Sequence, residues 1–208
     1  MSEIKITEVE PLEQTKPPSP LSRIVSLLKT GPRGLSLRFV DQGMRKRTGA
    51  PIWALSRVTP HLYVGGQHYE KGWQNMVDEG ITAVLNMREA HLDDVAKGIG
   101  GAHHLHLPAR DNTPPKIDDL LQGAIFIDEH IKAGSKVYVH CGIGVGRAPT
   151  AAAAYLIYAG MTTDHALAAI RKARPFIHLT PGQKRQLRAF ESLYKSKGVT
   201  SDDDDGKS

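Results

Sequence analysis

Cysteine is almost missing from this chain, with one residue, Cys141, in 208. A lone thiol excludes an internal disulfide and a cysteine-rich metal site, which leaves inert packing or a nucleophile in a reducing compartment. Long apolar runs are missing too. No stretch of about 18 apolar residues could cross a bilayer, and no early segment joins a basic start, an apolar run and a small-residue cleavage site. The expectation is a soluble, cytoplasmic protein with peripheral membrane contact at most. No internal repeat is visible, and with 40% hydrophobic residues the chain can bury one core of ordinary size. Acidic residues are outnumbered, 22 against 27 Lys and Arg, for a net charge of +5. That excess suits anionic partners in general and gives no reason to expect nucleic acid.

Residues 1–20 are polar, close on Pro17, Pro18 and Pro20, and offer little apolar surface to offset ordering, so they read as a disordered arm. Leu21, Ile24, Val25 and Leu28 recur at helical spacing until Gly31-Pro32, where the helix is expected to stop. Arg33, Arg38, Arg45, Lys46 and Arg47 follow against a single Asp41. Residues 21–54 therefore read as a basic, amphipathic extension. It is either a cover packed on the core with its charges in solvent, the preferred reading, or an interfacial helix for anionic lipid over 21–47. Residues 198–208 form an acidic tail.

Between these ends, strand-like and helix-like stretches alternate, as expected of an α/β domain whose central mixed or parallel sheet is flanked by helices. Strands are expected at 81–87, 103–109 and 136–140, and helices at 69–79, 117–132, 148–159, 163–172 and 182–195. His103, His104 and His106 invite a metal reading. Alternation leaves only His104 and His106 on one face with no third ligand evident, so they read as ordinary strand histidines and no metal is expected.

"HCGIGVGRAP" (His140 to Pro149) joins a strand to an alanine-rich helix through three glycines. Gly142, Gly144 and Gly146, with Ile143 and Val145 between them, can turn successive N–H groups inward and form an anion nest at a helix N-terminus. The same field favours Cys141 as a thiolate. Arg147 adds a planar fork able to bridge two oxygens of a phosphoryl group. The spacing does not match a dinucleotide fingerprint. "LPARDNTPP" places Asp111 on a loop after a strand, where a carboxylic acid could protonate a leaving oxygen.

His140-Cys141-x-x-Gly144-x-x-Arg147 resembles the signature of the cysteine-dependent phosphatases, most closely the dual-specificity branch of the protein tyrosine phosphatase superfamily. A bare Cys with Arg six residues on also occurs in sulfurtransferases, and a non-catalytic phosphate-binding module is a further alternative; Asp111 argues against the first. "HLYVGG" is similar to the family's opening strand, and "AVLNM" to the strand that carries a buttressing asparagine, here Asn86. The resemblance implies that fold, a catalytic domain over 55–197, no cofactor, and a two-step reaction through a cysteinyl-phosphate. In that reaction Asp111 serves as acid and then base, and His140 orients. It also implies phosphotyrosine and phosphoserine/threonine proteins as substrates. The family carries Ser or Thr after the arginine where this chain has Ala148; "GRAP" itself resembles the loop of plant glucan phosphatases. "AIRKARPFIHLTPGQ" with Leu187 and Phe190 resembles the lipid-acting branch, which implies phosphatidylglycerophosphate or a phosphoinositide as the alternative substrate.

Overall fold

The computed structural model describes residues 31–89 and 93–198. The expected arm, the helix at 21–28 and most of the acidic tail lie outside them. Four short strands, β1 (Leu62–Gly66), β2 (Ile81–Asn86), β3 (His103–His106) and β4 (Lys136–Cys141), form one sheet in the order β1-β4-β2-β3. All three ladders are parallel. The expected mixed or parallel sheet is thus purely parallel along its named ladders, and the expected strand 103–109 stops at His106, at the sheet edge. Parallel strands are covered on both faces and so read as continuous apolar runs. Accordingly, β1 is buried throughout and β4 at all but its first residue.

Among the described residues, seven α-helices surround the sheet: α1 (Gly31–Thr48), α2 (Trp73–Glu79), α3 (Asp93–Ala96), α4 (Ile117–Lys132), α5 (Arg147–Tyr158), α6 (Thr163–Ala173) and α7 (Pro181–Gly198). The expected helix at 69–79 divides into a 3-10 turn at Glu70–Gly72 and α2. The run Ala151 to Ala154 lets α5 approach closely, and it is buried almost end to end against Leu62, Val64, Val137, Val139 and Leu187. Gly31-Pro32 opens a helix that the sequence reading did not place, since proline is tolerated in a first turn where its missing N–H has no partner to lose.

The expectation of solvated charges on this extension holds for Arg33, Lys46 and Arg47, which are exposed, and fails at two positions. Asp41 and Arg45 of α1 are buried, whereas Phe39, Val40 and Met44 are exposed. Helix α1 thus turns one ion pair inward and leaves three apolar side chains outward, against the pattern of an ordinary surface helix. Among the described residues, no helix is long and apolar enough to cross a membrane.

Candidate active site

Strand β4 delivers Cys141 to the C-terminal end of the sheet, and α5 begins six residues later at Arg147. The intervening loop is gripped from outside. The Gly142 carbonyl accepts from the Gln67 amide at 3.1 Å and the Val145 carbonyl from the His178 amide at 2.7 Å. Arg174 donates to the Ile143 carbonyl at 2.9 Å and the Gly144 carbonyl at 2.6 Å. None of the peptides is cis. In a trans peptide the next N–H points opposite the carbonyl, so the amides of Ile143, Gly144, Val145 and Gly146 turn to the concave side. The Gly144 amide there donates to Cys141 Sγ at 3.2 Å. Gly144 has φ +79°, and a Cβ on it would sit 2.3 Å from the Gly65 backbone, so only glycine fits.

Cys141 is buried at 3% exposure at the floor of this cradle. Arg147 reaches across, donating to the Ala109 carbonyl at 2.9 Å and lying 3.1 Å from Asp111 Oδ1. Its Nε is buried with no hydrogen-bond partner among the described residues. A buried guanidinium nitrogen without an acceptor beside inward-facing amides is a place for an anion. Asp111 is two-thirds exposed on its loop, beside Asn112, which takes a left-handed φ of 63°. Arg38 of α1 is shifted down by burial and held up in part by the charge of Asp111.

The loop carrying Asp111 is tied to α7. Thr180 and Gln183 form a reciprocal capping box: the Thr180 amide donates to Gln183 Oε1 at 2.9 Å and the Gln183 amide to Thr180 Oγ1 at 3.2 Å. Gln183 Nε2 then donates to the Thr113 carbonyl at 3.1 Å. Ala148 is fully buried in the first turn of α5, and the nearby Thr150 hydroxyl is committed to the Gly146 carbonyl at 2.8 Å.

Asn86 closes β2 by accepting from the Arg88 amide at 2.9 Å and donating to Asp94 at 3.3 Å. His140 is fully buried, with Nε2 2.8 Å from Asp94 Oδ2. Burial lowers the His140 imidazole, which suits an orienting group and not an acid or base at neutral pH. Burial alone would push the Asp94 carboxyl up, but contacts from His104 and His140 outweigh it and hold the group well below the carboxylate range. His104 lies 3.9 Å from Asp94, and His106 meets the Arg88 carbonyl, so neither histidine is an isolated strand residue.

His68, Asp94 and His140 bring three metal-capable atoms within 4.8 Å of one another. Gln67 Nε2 occupies Asp94 Oδ1 at 2.8 Å, while Asn86 and His140 crowd Oδ2. Amide donors aimed at both oxygens make this a hydrogen-bonded buttress behind the loop and a poor fit for a cation. The expected residues Cys141, the 142–146 loop, Arg147, Asp111, Asn86 and His140 thus lie in one region. Sequence reasoning missed Asp94, Gln67, Arg174 and Asp41. Of these, only the Pro after Arg174, which marks a helix end, gave any local signal.

The chain matches the family model "Dual specificity phosphatase, catalytic domain" over residues 62–193. It is 29% identical over 142 residues to the phosphatidylglycerophosphate phosphatase PTPMT2 of Arabidopsis thaliana, covering 66% of this chain and 62% of that protein. It is 36% identical over 110 residues to dual specificity protein phosphatase 2 of Mus musculus, covering 52% of this chain and 32% of that one. It thus spans less than two-thirds of either relative's length. The crystal structure of PTPMT1 superposes with a TM-score of 0.63 at 27% identity, covering 69% of this chain and 98% of that one.

Proposed function

The chain belongs to the dual specificity phosphatase catalytic-domain family, and from that premise we propose that it hydrolyses phosphate monoesters with Cys141 as nucleophile. The observation that carries this reading is the Arg147 Nε, unpartnered among the described residues, beside a loop whose carbonyls from Gly142 to Val145 are bound by groups outside it. A tetrahedral phosphoryl group fits both sets of donors. Its equatorial oxygens take the loop amides and the Arg147 fork, and its phosphorus comes into line with Cys141 Sγ. The thiolate forms the S–P bond as the ester P–O bond breaks, and Asp111, released from Arg147 by the incoming anion and protonated from the substrate monoanion, gives that proton to the departing oxygen. In the second step Asp111 takes a proton from water, whose oxygen bonds to phosphorus as the S–P bond breaks. Inorganic phosphate leaves and the thiolate returns.

Phosphorylated tyrosine, serine and threonine side chains are the first substrate reading. A second reading, a phospholipid phosphomonoester, is favoured by the outward face of α1. That face carries exposed Phe39, Val40 and Met44 among exposed Arg33, Lys46 and Arg47, with no exposed acid on the helix. An open pocket of about 580 Å³ beside Gly142, whose walls bear Lys71, Arg88 and Lys97 against Glu70, suits either anion. Turnover of phosphopeptides should be measured beside vesicles holding phosphatidylglycerophosphate or a phosphoinositide. Under the lipid reading Phe39→Asp and Met44→Asp lower vesicle turnover alone, and under the protein reading they leave the preferred substrate untouched. Cys141→Ser should abolish turnover of either class; full retained activity overturns the phosphatase reading. Thiosulfate-to-cyanide transfer without phosphatase activity replaces it with sulfur transfer, and phosphopeptide binding by wild type without turnover replaces it with a binding module.

A further inference from the structure

The N-terminal helix α1 precedes the segment that matches the family, yet it ends a chain of buried charge that runs to the phosphate loop. Asp41 and Arg174 are both completely inaccessible to solvent, and Arg45 is 3% exposed. Asp41 Oδ2 accepts from Arg174 at 2.9 Å and from Arg45 at 3.2 Å. Arg174 directs three more donors to the carbonyls of Gly144, Ile143 and Leu55. Arg45 donates to the Gln67 carbonyl at 2.8 Å, and the Gln67 amide in turn binds the Gly142 carbonyl. Arg45 also lies against Gly66, the residue paired with Cys141 across the sheet, so closely that a Cβ there would be 2.4 Å from its guanidinium carbon.

We propose that Asp41 is a positioning residue of the active site: by neutralising and aiming Arg174 and Arg45 it fixes three successive loop carbonyls outward and so fixes the anion-binding amides inward. The proposal rests on the phosphatase reading for its consequence and on geometry for its mechanism. A buried guanidinium stays in place only where a carboxylate compensates it. Two guanidiniums share the Asp41 carboxylate here. Remove that charge, and Arg174 has reason to leave the carbonyls of Ile143 and Gly144 for water or another partner. Those peptides are then free to rotate, and the amides of Gly144 and Val145 lose their direction. Helix α1 is accordingly part of the catalytic unit, and the family match alone leaves out a residue on which the loop's shape depends.

The test is Asp41→Asn in the full chain, read by two assays. Inorganic phosphate and orthovanadate protect Cys141 from alkylation by iodoacetamide, which reports anion affinity without requiring turnover. Steady-state hydrolysis of aryl phosphates reports KM and kcat. The expected result is a loss of about tenfold in anion affinity, with KM raised to match and activated and poor leaving groups affected alike. Arg174→Lys, which keeps the charge and loses the fork, should do the same, and the double variant should lose less than the sum of the two, the remainder passing through Arg45 and Gln67. Wild-type protection and KM in folded Asp41→Asn, or additive losses in the double variant, overturn the proposal. Should Asp41→Asn not fold, Asp41→Glu keeps the charge and shifts it by one methylene. Weakened anion protection with the wild-type Tm then supports the proposal, and unchanged protection overturns it. A wild type that binds phosphate but turns nothing over would sink the phosphatase reading and leave the protection assay still decisive here.

Discussion

Asp111 and Arg147 lie 3.1 Å apart, and that ion pair distinguishes Asp111 from an ordinary turn aspartate. An aspartate on a loop before Asn and two prolines has the composition of a plain turn, and Asp111 is in fact mostly exposed. Its contact with the guanidinium that would clamp the phosphoryl group is what gives it a route to the leaving oxygen. Asp111→Ala should lower kcat/KM for alkyl phosphates by about a hundredfold or more while leaving that for an activated aryl phosphate within a few-fold of wild type, because only the poor leaving group needs a proton. A leaving-group series of kcat/KM values, which exclude the second step, checks this; equal slowing across the series removes Asp111 from the acid role. Cys141, Arg147 and Asp111 were legible because each chemistry restricts residue type and spacing within a short stretch. Asp94 was not, since its partners His140, Asn86 and Gln67 are brought to it by separate strands.

At the scale of elements, the sheet and its covering helices were legible and the N-terminal helix was not. Strand β4 and helices α4 to α6 carry apolar periods that match the structure to within a residue or so at their ends. A period argument assumes that the apolar face is the buried one. Helix α1 inverts this, since its inner face holds Asp41 and Arg45 against the back of the phosphate loop. No pattern of hydrophobicity reports a helix held by ion pairs. The loop itself was recognisable as a glycine nest, but not which glycine is indispensable. Gly144→Ala meets a left-handed backbone, worth about 1–3 kcal/mol, and a collision with Gly65 besides. Thermal unfolding should show a Tm lowered by several degrees, with phosphatase activity lost well below the new midpoint. An unchanged Tm and full activity would contradict the loop geometry.

For the molecule as a whole, the buried histidines predict an acid limit to stability. Burial first, and then the neighbouring His140, drives the His68 imidazole down to about 4 from the ordinary 6.5. The unfolded chain takes up that proton near pH 6.5, whereas the folded chain refuses it until about pH 4. Stability is therefore full above pH 6.5 and falls as pH drops through that window, by about 3 kcal/mol for His68. His140, lowered in the same direction by its burial, adds to the loss. Urea unfolding between pH 7.5 and 4.5 should show this slope, and His68→Asn should flatten it; a variant with the wild-type slope would remove His68 from the account.

The chemical claim that unites the molecule is a phosphoryl group carried on Cys141, with a second step unassisted by a hydroxyl at Ala148. Rapid acid quench of the wild type turning over an aryl phosphate, followed by intact mass and peptide mapping, tests it most directly. The account predicts one added phosphoryl group, confined to the peptide holding Cys141, absent in Cys141→Ser and diminished in Ala148→Ser, where the new hydroxyl can stabilise the departing thiolate. Sustained turnover with no phosphoryl group on Cys141 at any quench time, in the wild type and in Asp111→Ala alike, would contradict it.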